Sequence, residues 1–285
     1  MTPAVSVIIP CYDAGAFLLD AIDSALASTV DDLEVVVVDD GSTDPATQAL
    51  LDRLDRPRTT VLRGPNGGSA AARNTGLAHA RGRWVLPLDA DDLVSPTLVE
   101  KALAILEAEP ALGWVYTHVR FFGEAEFVCR MAPYNFYVLL WENLCCATAL
   151  VRRSAMEAVG GYTAALRGYE DWDLWLKLGE RGWHGRLLPE VLFHYRRHGE
   201  TQGTRSIRRH RELVALIRAN HPRLYDPRTL RAVRREWCAH PVATDALLSL
   251  QAAVRAPWFP RPLRAVLAGL RDATPFARKV APGGA

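Results

Sequence analysis

Long apolar runs are missing from this 285-residue chain. No window nears the ~18 uninterrupted apolar residues that a membrane span requires, and no basic stretch precedes an apolar one at the start, so neither a spanning helix nor a signal peptide is expected. Cysteine is scarce and odd in number: Cys11, Cys129, Cys145, Cys146 and Cys238. No C-x-x-C pair and no His/Cys spacing of a zinc site occurs. That excludes a disulfide scaffold and predicts reduced, buried thiols in a cytosolic protein. A charge excess is missing too. The chain has 34 Lys+Arg against 32 Asp+Glu, 23% charged and 49% hydrophobic residues, which excludes a disordered polyelectrolyte and a nucleic-acid-coating protein. The 18 Pro and 20 Gly follow no period, excluding collagen-like and low-complexity chains. Both G-x-x-x-x-G-K-[ST] and a G-x-G-x-x-G after the first strand are absent, which removes triphosphate-loop enzymes and dinucleotide dehydrogenases.

What is present is an alternation. Val5–Pro10, Leu33–Val38, Thr60–Leu62, Arg83–Leu88 and Trp114–Tyr116 are short apolar runs rich in β-branched residues, as in strands buried on both faces of a parallel sheet. Between them, 16–26, 46–54, 67–80 and 96–107 have helical spacing. The pattern predicts an α/β fold with a mainly parallel sheet flanked by helices. From residue 205 the chain is Arg-rich and helical, broken at Pro222, Pro227, Pro241 and Pro257.

Ligands of such sheets sit beyond the carboxyl ends of the strands, and there this chain collects acids: Asp13, Asp39-Asp40, and Asp89, Asp91 and Asp92. Carboxylates gathered on one edge repel one another, and a cation relieves that cost. Asp89 and Asp91 are placed to hold Mg²⁺ or Mn²⁺, hard ions shared with substrate phosphates. Asp92 or Ser95 could instead cap the following helix. The Asp39–Asp44 turn could accept bonds from a ribose or a base, or be ordinary turn chemistry. Small residues 67–72 with Arg73 one turn in suit a diphosphate at a helix start, or close helix–sheet packing. Glu170-Asp171 opens an apolar helix, fitting either a general base or dipole compensation. Either His194 or His198 could complete a metal site, and Arg196 or Arg197 could hold phosphate. The aromatic stretch Phe121–Trp141 could stack on sugars or form core.

Taken in order, residues 5–13 (VSVIIPCYD), Val37–Asp44 (VVDDGSTD), Ala72–Gly76 (ARNTG), Leu88–Asp92 (LDADD), Glu170-Asp171 and Tyr195–His198 (YRRH) resemble a family 2 glycosyltransferase of GT-A fold over about residues 3–200. The resemblance implies an inverting enzyme moving a sugar from a nucleotide-diphospho-sugar to an acceptor hydroxyl, in bacterial envelope or polysaccharide assembly. UDP is the first expectation, with GDP and dTDP behind it. Carried over by position, Pro10, Tyr12 and Asp13 line the base pocket and Asp39 binds uracil or ribose. Arg73 meets the nucleotide or its diphosphate. Asp89 and Asp91 are the Asp-x-Asp pair, Asp91 the direct ligand of a divalent metal (Mn²⁺ or Mg²⁺), and His198 completes that site. Asp171 is the catalytic base and Glu170 its neighbour. One departure is Tyr12-Asp13 where the family usually has Tyr-Asn. The membrane helices of processive synthases are absent, favouring single addition. A sugar-1-phosphate nucleotidyltransferase is the competing enzyme, but the loop after the first strand has no basic residue; a non-catalytic nucleotide-sugar or glycan binder is the other alternative.

The even total conceals a split. Residues 1–204, read as the catalytic domain, hold 18 Lys+Arg and 27 Asp+Glu; 205–285, read as a basic helical extension, hold 16 and 5. Within the extension, Trp258, Phe259, Leu263, Val266, Leu267 and Leu270 alternate with Arg261, Arg264 and Arg271. Such a segment suits an anionic membrane surface bearing lipid-linked acceptors, at the inner face of the membrane. Packing on the catalytic domain or a homodimer contact are the alternatives.

Overall fold

The computed structural model of the protein describes residues 2–199, 201–239 and 244. Strands β1 (Val5–Cys11) and β2 (Leu33–Asp39) are buried almost throughout, as their unbroken apolar sequences require. Helix α1 (Gly15–Leu26) joins them, and α2 (Pro45–Asp52) leads to β3 (Thr59–Arg63). Asp44 caps α2 by accepting from the Thr47 N–H at 2.8 Å, with Pro45 in the first turn, the sequence signature of a helix start. Helix α3 (Ser69–His79) and β4 (Trp84–Pro87) complete the regular part. Then come β5 (Leu93–Val94), α4 (Leu98–Ala108), β6 (Leu112–Gly123), β7 (Phe127–Cys129), α5 (Phe136–Leu139), β8 (Leu150–Arg152), α6 (Arg153–Ala158), α7 (Glu170–Glu180) and β9 (His184–Arg197). Helices α8 (Gln202–Arg208), α9 (His210–Asn220) and α10 (Pro227–Trp237) follow.

The sheet has nine strands in the order β3-β2-β1-β4-β8-β6-β9-β5, with β7 on β6. The expected parallel order holds for β3, β2, β1 and β4. Beyond them the sheet is mixed, because β8, a three-residue strand that has no sequence signature of its own, pairs antiparallel with both β4 and β6. Two reversals return β6 to the direction of β4, and β9 runs parallel to β6. The carboxyl ends of β1, β2, β4, β6 and β9 therefore share one edge, and the site is built there.

Helix α3 lies close on the sheet because of Gly76, where a Cβ would come within 2.4 Å of Ile8 Cγ2. The aromatic stretch divides. Tyr134, Phe136 and Tyr137 are buried core, while Phe127 is 52% exposed and stacks on Phe121 at 4.3 Å. All five cysteines are free; burial pushes Cys11 up to about 11 and Cys146 to about 12, so these thiols stay protonated. Helices α9 and α10 bury Leu213, Ile217, Val233 and, just past α10, Cys238 in the same core as the sheet. The 258–271 segment lies outside the described residues. Among those described, no helix is long and apolar enough to cross a membrane.

Candidate functional site

The turn after β2 is folded by its own acids. Asp39, buried, accepts from the Ser42 N–H at 2.9 Å, and Arg63 lies 3.9 Å from its other oxygen. Asp40 accepts from the Gly67 and Gly68 N–H groups at 2.7 and 2.8 Å, fixing the chain as it enters α3. Gly68 stands there at φ +86°, where a Cβ would also meet the Arg167 guanidinium at 2.9 Å. Asp13 accepts from the Thr43 and Asp44 N–H groups, both at 2.7 Å, and from the Thr43 hydroxyl at 3.0 Å. The Asp44 N–H leads in holding this carboxylate below its ordinary range. Asp13 thus ties the loop after β1 to the turn after β2. Near it Pro10 lies opposite Val38, one pair before the end of the β1–β2 ladder, and Tyr12, 49% exposed, presents an open ring.

Arg73, one turn into α3, is almost wholly buried. One guanidinium nitrogen donates to Asp89 and the other to Glu170 at 3.0 Å, with the Tyr162 ring 5.5 Å away. Burial alone would lower its proton affinity; Asp89 and Glu170 more than reverse that. Glu170 also accepts from the Ser69 hydroxyl at 2.6 Å, the Gln202 amide at 3.0 Å and the Gly168 N–H at 3.1 Å. Against the opposing effect of burial, Arg73 and Ser69 keep it below the usual carboxylate range. This network joins the start of α7 to the end of β4. Asp171, the next residue, is partly exposed. Burial of its carboxyl, and then the charge of Glu170, push it up to about 6.

Asp91 and His198 meet directly, His198 Nε2 lying 2.8 Å from Asp91 Oδ2 with the imidazole against Phe17. His194 pairs instead with the Ser95 hydroxyl at 2.8 Å. Asp92 is buried and accepts from the Arg196 N–H at 2.8 Å, so neither Asp92 nor Ser95 caps α4, whose start has no side-chain cap. Burial, then Asp91 and Asp89, raise Asp92 well above its ordinary value; burial likewise raises Asp89, with Arg73 opposing. The Arg196 guanidinium is engaged by the Asp91 carbonyl and by Asp20 at 2.8 and 2.9 Å, and lies over Phe17 and Phe122. It is a brace between β9 and α1.

Among the described residues no three His, Cys, Asp or Glu side chains converge as a protein-only cage. The Asp91–His198 pair still fits a divalent ion of the magnesium or manganese kind. The carboxylate oxygen and the imidazole nitrogen lie 2.8 Å apart, a separation that neighbouring ligands of one ion can have, and such ions take their remaining ligands from water and phosphate. Asp89 stands beside them, tethered to Arg73. Asp40, Ser69, Gln202 and Asn143, which donates to Asp171, also shape the site. Asp40 belongs to the Val37–Asp44 motif and Ser69 to the small-residue run 67–72, whereas Gln202 and Asn143 stand in no motif. A cleft of about 500 Å³ lined by Arg81, Arg83, Trp84 and Arg153 opens at the other end of β4, away from these acids.

Residues 6–159 match the sequence profile of Glycosyl transferase family 2. The chain is 30% identical over 215 residues to a chondroitin synthase of Pasteurella multocida, covering 72% of this chain and 22% of that enzyme. It therefore spans about a fifth of that relative's length. It is 27% identical over 217 residues to the Escherichia coli enzyme WfaP, named as a UDP-Glc:α-D-GlcNAc-diphosphoundecaprenol β-1,3-glucosyltransferase, covering 74% of this chain and 82% of that one. The mannosyltransferase PcManGT of Pyrobaculum calidifontis, solved with GDP-Man and Mn²⁺, superposes with a TM-score of 0.57 at 22% identity, over 96% of this chain and 86% of that one. At that identity the likeness speaks to the fold, the helix-flanked α/β sheet of GT-A enzymes.

Proposed function

Because the chain belongs to glycosyl transferase family 2 and is a glycosyltransferase, we propose that it moves a sugar from a nucleotide-diphospho-sugar, a UDP-sugar first, to an acceptor hydroxyl with inversion, and that Asp171 is the general base. The observation that carries this reading is the Arg73 bridge. It links the first turn of α7, which carries Asp171, to the Asp89–Asp91 pair although about 80 positions separate them in the chain.

Asp171 is ionised at neutral pH and, at about 6, basic enough to take a proton. As the acceptor oxygen bonds to the anomeric carbon, its proton passes to Asp171 and the bond from that carbon to the diphosphate oxygen breaks, with attack from the opposite face. Asp91 and His198 are the residues that would hold the metal, which when bound offsets charge on the departing diphosphate. Tyr12 stacks on the base, and Pro10, Asp13 and Asp39 shape its pocket. Glu170 and Arg73 position these groups, and Asp89 completes the donor side.

The setting is bacterial polysaccharide assembly, in keeping with the two relatives, on a glycan or lipid-linked acceptor, with the basic 205–285 extension making peripheral membrane contact or a homodimer contact. Thermal denaturation with UDP, GDP and dTDP, with and without MnCl₂, tests the donor site, because ligand binding raises the midpoint. A UDP-led stabilisation that needs Mn²⁺ and is lost in Asp91→Ala is expected. Turnover of a sugar-1-phosphate with UTP would move the assignment to a nucleotidyltransferase. Stabilisation without any donor cleavage would move it to a binding protein.

A further inference from the structure

We propose that Asn143 is a positioning residue for Asp171, holding one oxygen of that carboxylate so that the other faces the acceptor hydroxyl. The inference rests on the reading of Asp171 as base.

The Asn143 amide is fixed at both ends. Its Nδ2 donates to Asp171 Oδ2 at 2.9 Å, and its Oδ1 accepts from the Cys145 N–H at 3.2 Å. The second bond decides the first. A backbone N–H can only donate, so the amide oxygen must face Cys145 and the NH₂ must face Asp171. Cys145 is itself anchored: it is 2% exposed, and its sulfur receives the Trp114 indole N–H at 3.5 Å. The support under Asp171 therefore runs from β6 through the loop before β8.

The other groups facing Asp171 do not substitute for it. On its own helix, Glu170 adds a like charge, and the Trp172 N–H supports the ionised form. From α3, Arg73 attracts it but is bonded to Asp89 and Glu170. Tyr162, before α7, and Cys145 and Cys146, before β8, are pushed up by burial and stay neutral. Among the described residues, Asn143 is the side chain that donates a hydrogen bond to Asp171. Such a bond favours the charged form and fixes the plane of the carboxylate. A base so held presents its free lone pairs in one direction, which proton transfer from a bound hydroxyl requires.

The test needs no knowledge of the acceptor. The carboxyl carbons of the full chain are followed by ¹³C NMR against pH, with the Asp171 signal assigned by its loss in Asp171→Asn. Asn143→Ala removes the donor and should move the Asp171 midpoint upward by about one to two pH units, the size of a hydrogen bond to a charged group. Asn143→Asp keeps the size and replaces the donor by a second carboxylate, and should move it further up. Where transfer can be followed, the low-pH limb of its rate profile moves with the midpoint while the dissociation constant for UDP with Mn²⁺ stays the same. If either folded variant leaves the Asp171 midpoint in place, Asn143 does not control this carboxyl and the proposal fails. Should Asp171→Asn transfer sugar like the wild type, the base reading falls by itself, and the titration still decides whether Asn143 governs Asp171.

Discussion

Arg73 places one buried positive charge between two carboxylates from distant parts of the chain. Removing it leaves Asp89 and Glu170 facing each other without a counter-charge. Truncation of a buried ionic partner typically costs about 3–5 kcal/mol, so Arg73→Ala should lower the unfolding free energy by that much, read from denaturant titration. Arg73→Lys should recover only part, since an ammonium cannot fork to both acids. Asp171 makes a prediction of opposite character. Its carboxyl is raised to about 6, so transfer should fall as pH drops through about 6, read from a pH–rate profile at saturating donor. For stability the sign reverses. The folded carboxyl holds its proton more tightly than the unfolded one, so ionisation as pH rises through about 6 subtracts from stability. At this scale Asp89-x-Asp91 and Glu170-Asp171 stand out in the sequence because adjacent acids at an element boundary are costly, and Arg73 joins the two motifs in the fold. Asn143 and Gln202 could not stand out. Each is a single polar residue whose partner lies 28 or 32 positions away, and one-dimensional spacing carries no trace of that pairing.

Helix α3 shows how an element sets the site. Its start is held by Asp40 and its middle rests on β1 and β2 through Gly76, which has Ile8 and Val38 beneath it. Gly76→Ala puts a methyl where there is no room. The expected loss is about 1–3 kcal/mol from overpacking, against the gain of a few tenths to one that alanine gives in an open helix. Urea denaturation separates the two signs. The first four strands were legible because buried parallel strands are continuous apolar runs. Strand β8 was not, since Leu150–Arg152 continues an apolar stretch without a turn residue before it, and only its pairing with Trp84–Val85 and Trp114–Val115 makes it a strand. That one insertion turns the parallel sheet mixed. It also restores β6 and β9 to the direction that brings His198 back to the acidic edge.

On the scale of the whole molecule, the division into an acidic and a basic part does not coincide with a division of the core. Helix α9 is fastened to α7 by Asp173, fully buried, which accepts from Thr163 at 2.6 Å, Asn220 at 3.0 Å and His221 at 3.2 Å, with Lys177 at 3.3 Å. Burial would raise Asp173; these donors bring it well below the usual carboxylate range. Its contribution is therefore present at neutral pH and is lost only as pH falls below the unfolded carboxylate range toward the lower folded value. Asp173→Ala removes the buried acceptor shared by Thr163, Asn220, His221 and Lys177, and should cost about 3–5 kcal/mol at pH 7 by denaturant unfolding. Because Leu213, Ile217 and Val233 belong to the core, a truncation meant to test membrane contact belongs after residue 239 rather than at 204. With anionic liposomes, the full chain should float and the shortened chain remain behind; equal flotation would remove the membrane role of the basic end. The central claim is that this fold joins a nucleotide-sugar site at Asp91 and His198 to a base at Asp171, and one comparison tests it most directly. Binding of UDP with Mn²⁺ and sugar transfer are measured side by side for wild type and Asp171→Asn. Unchanged binding with transfer reduced about 10²–10⁴-fold is predicted, the usual weight of a general base; near-normal transfer by Asp171→Asn would contradict the account.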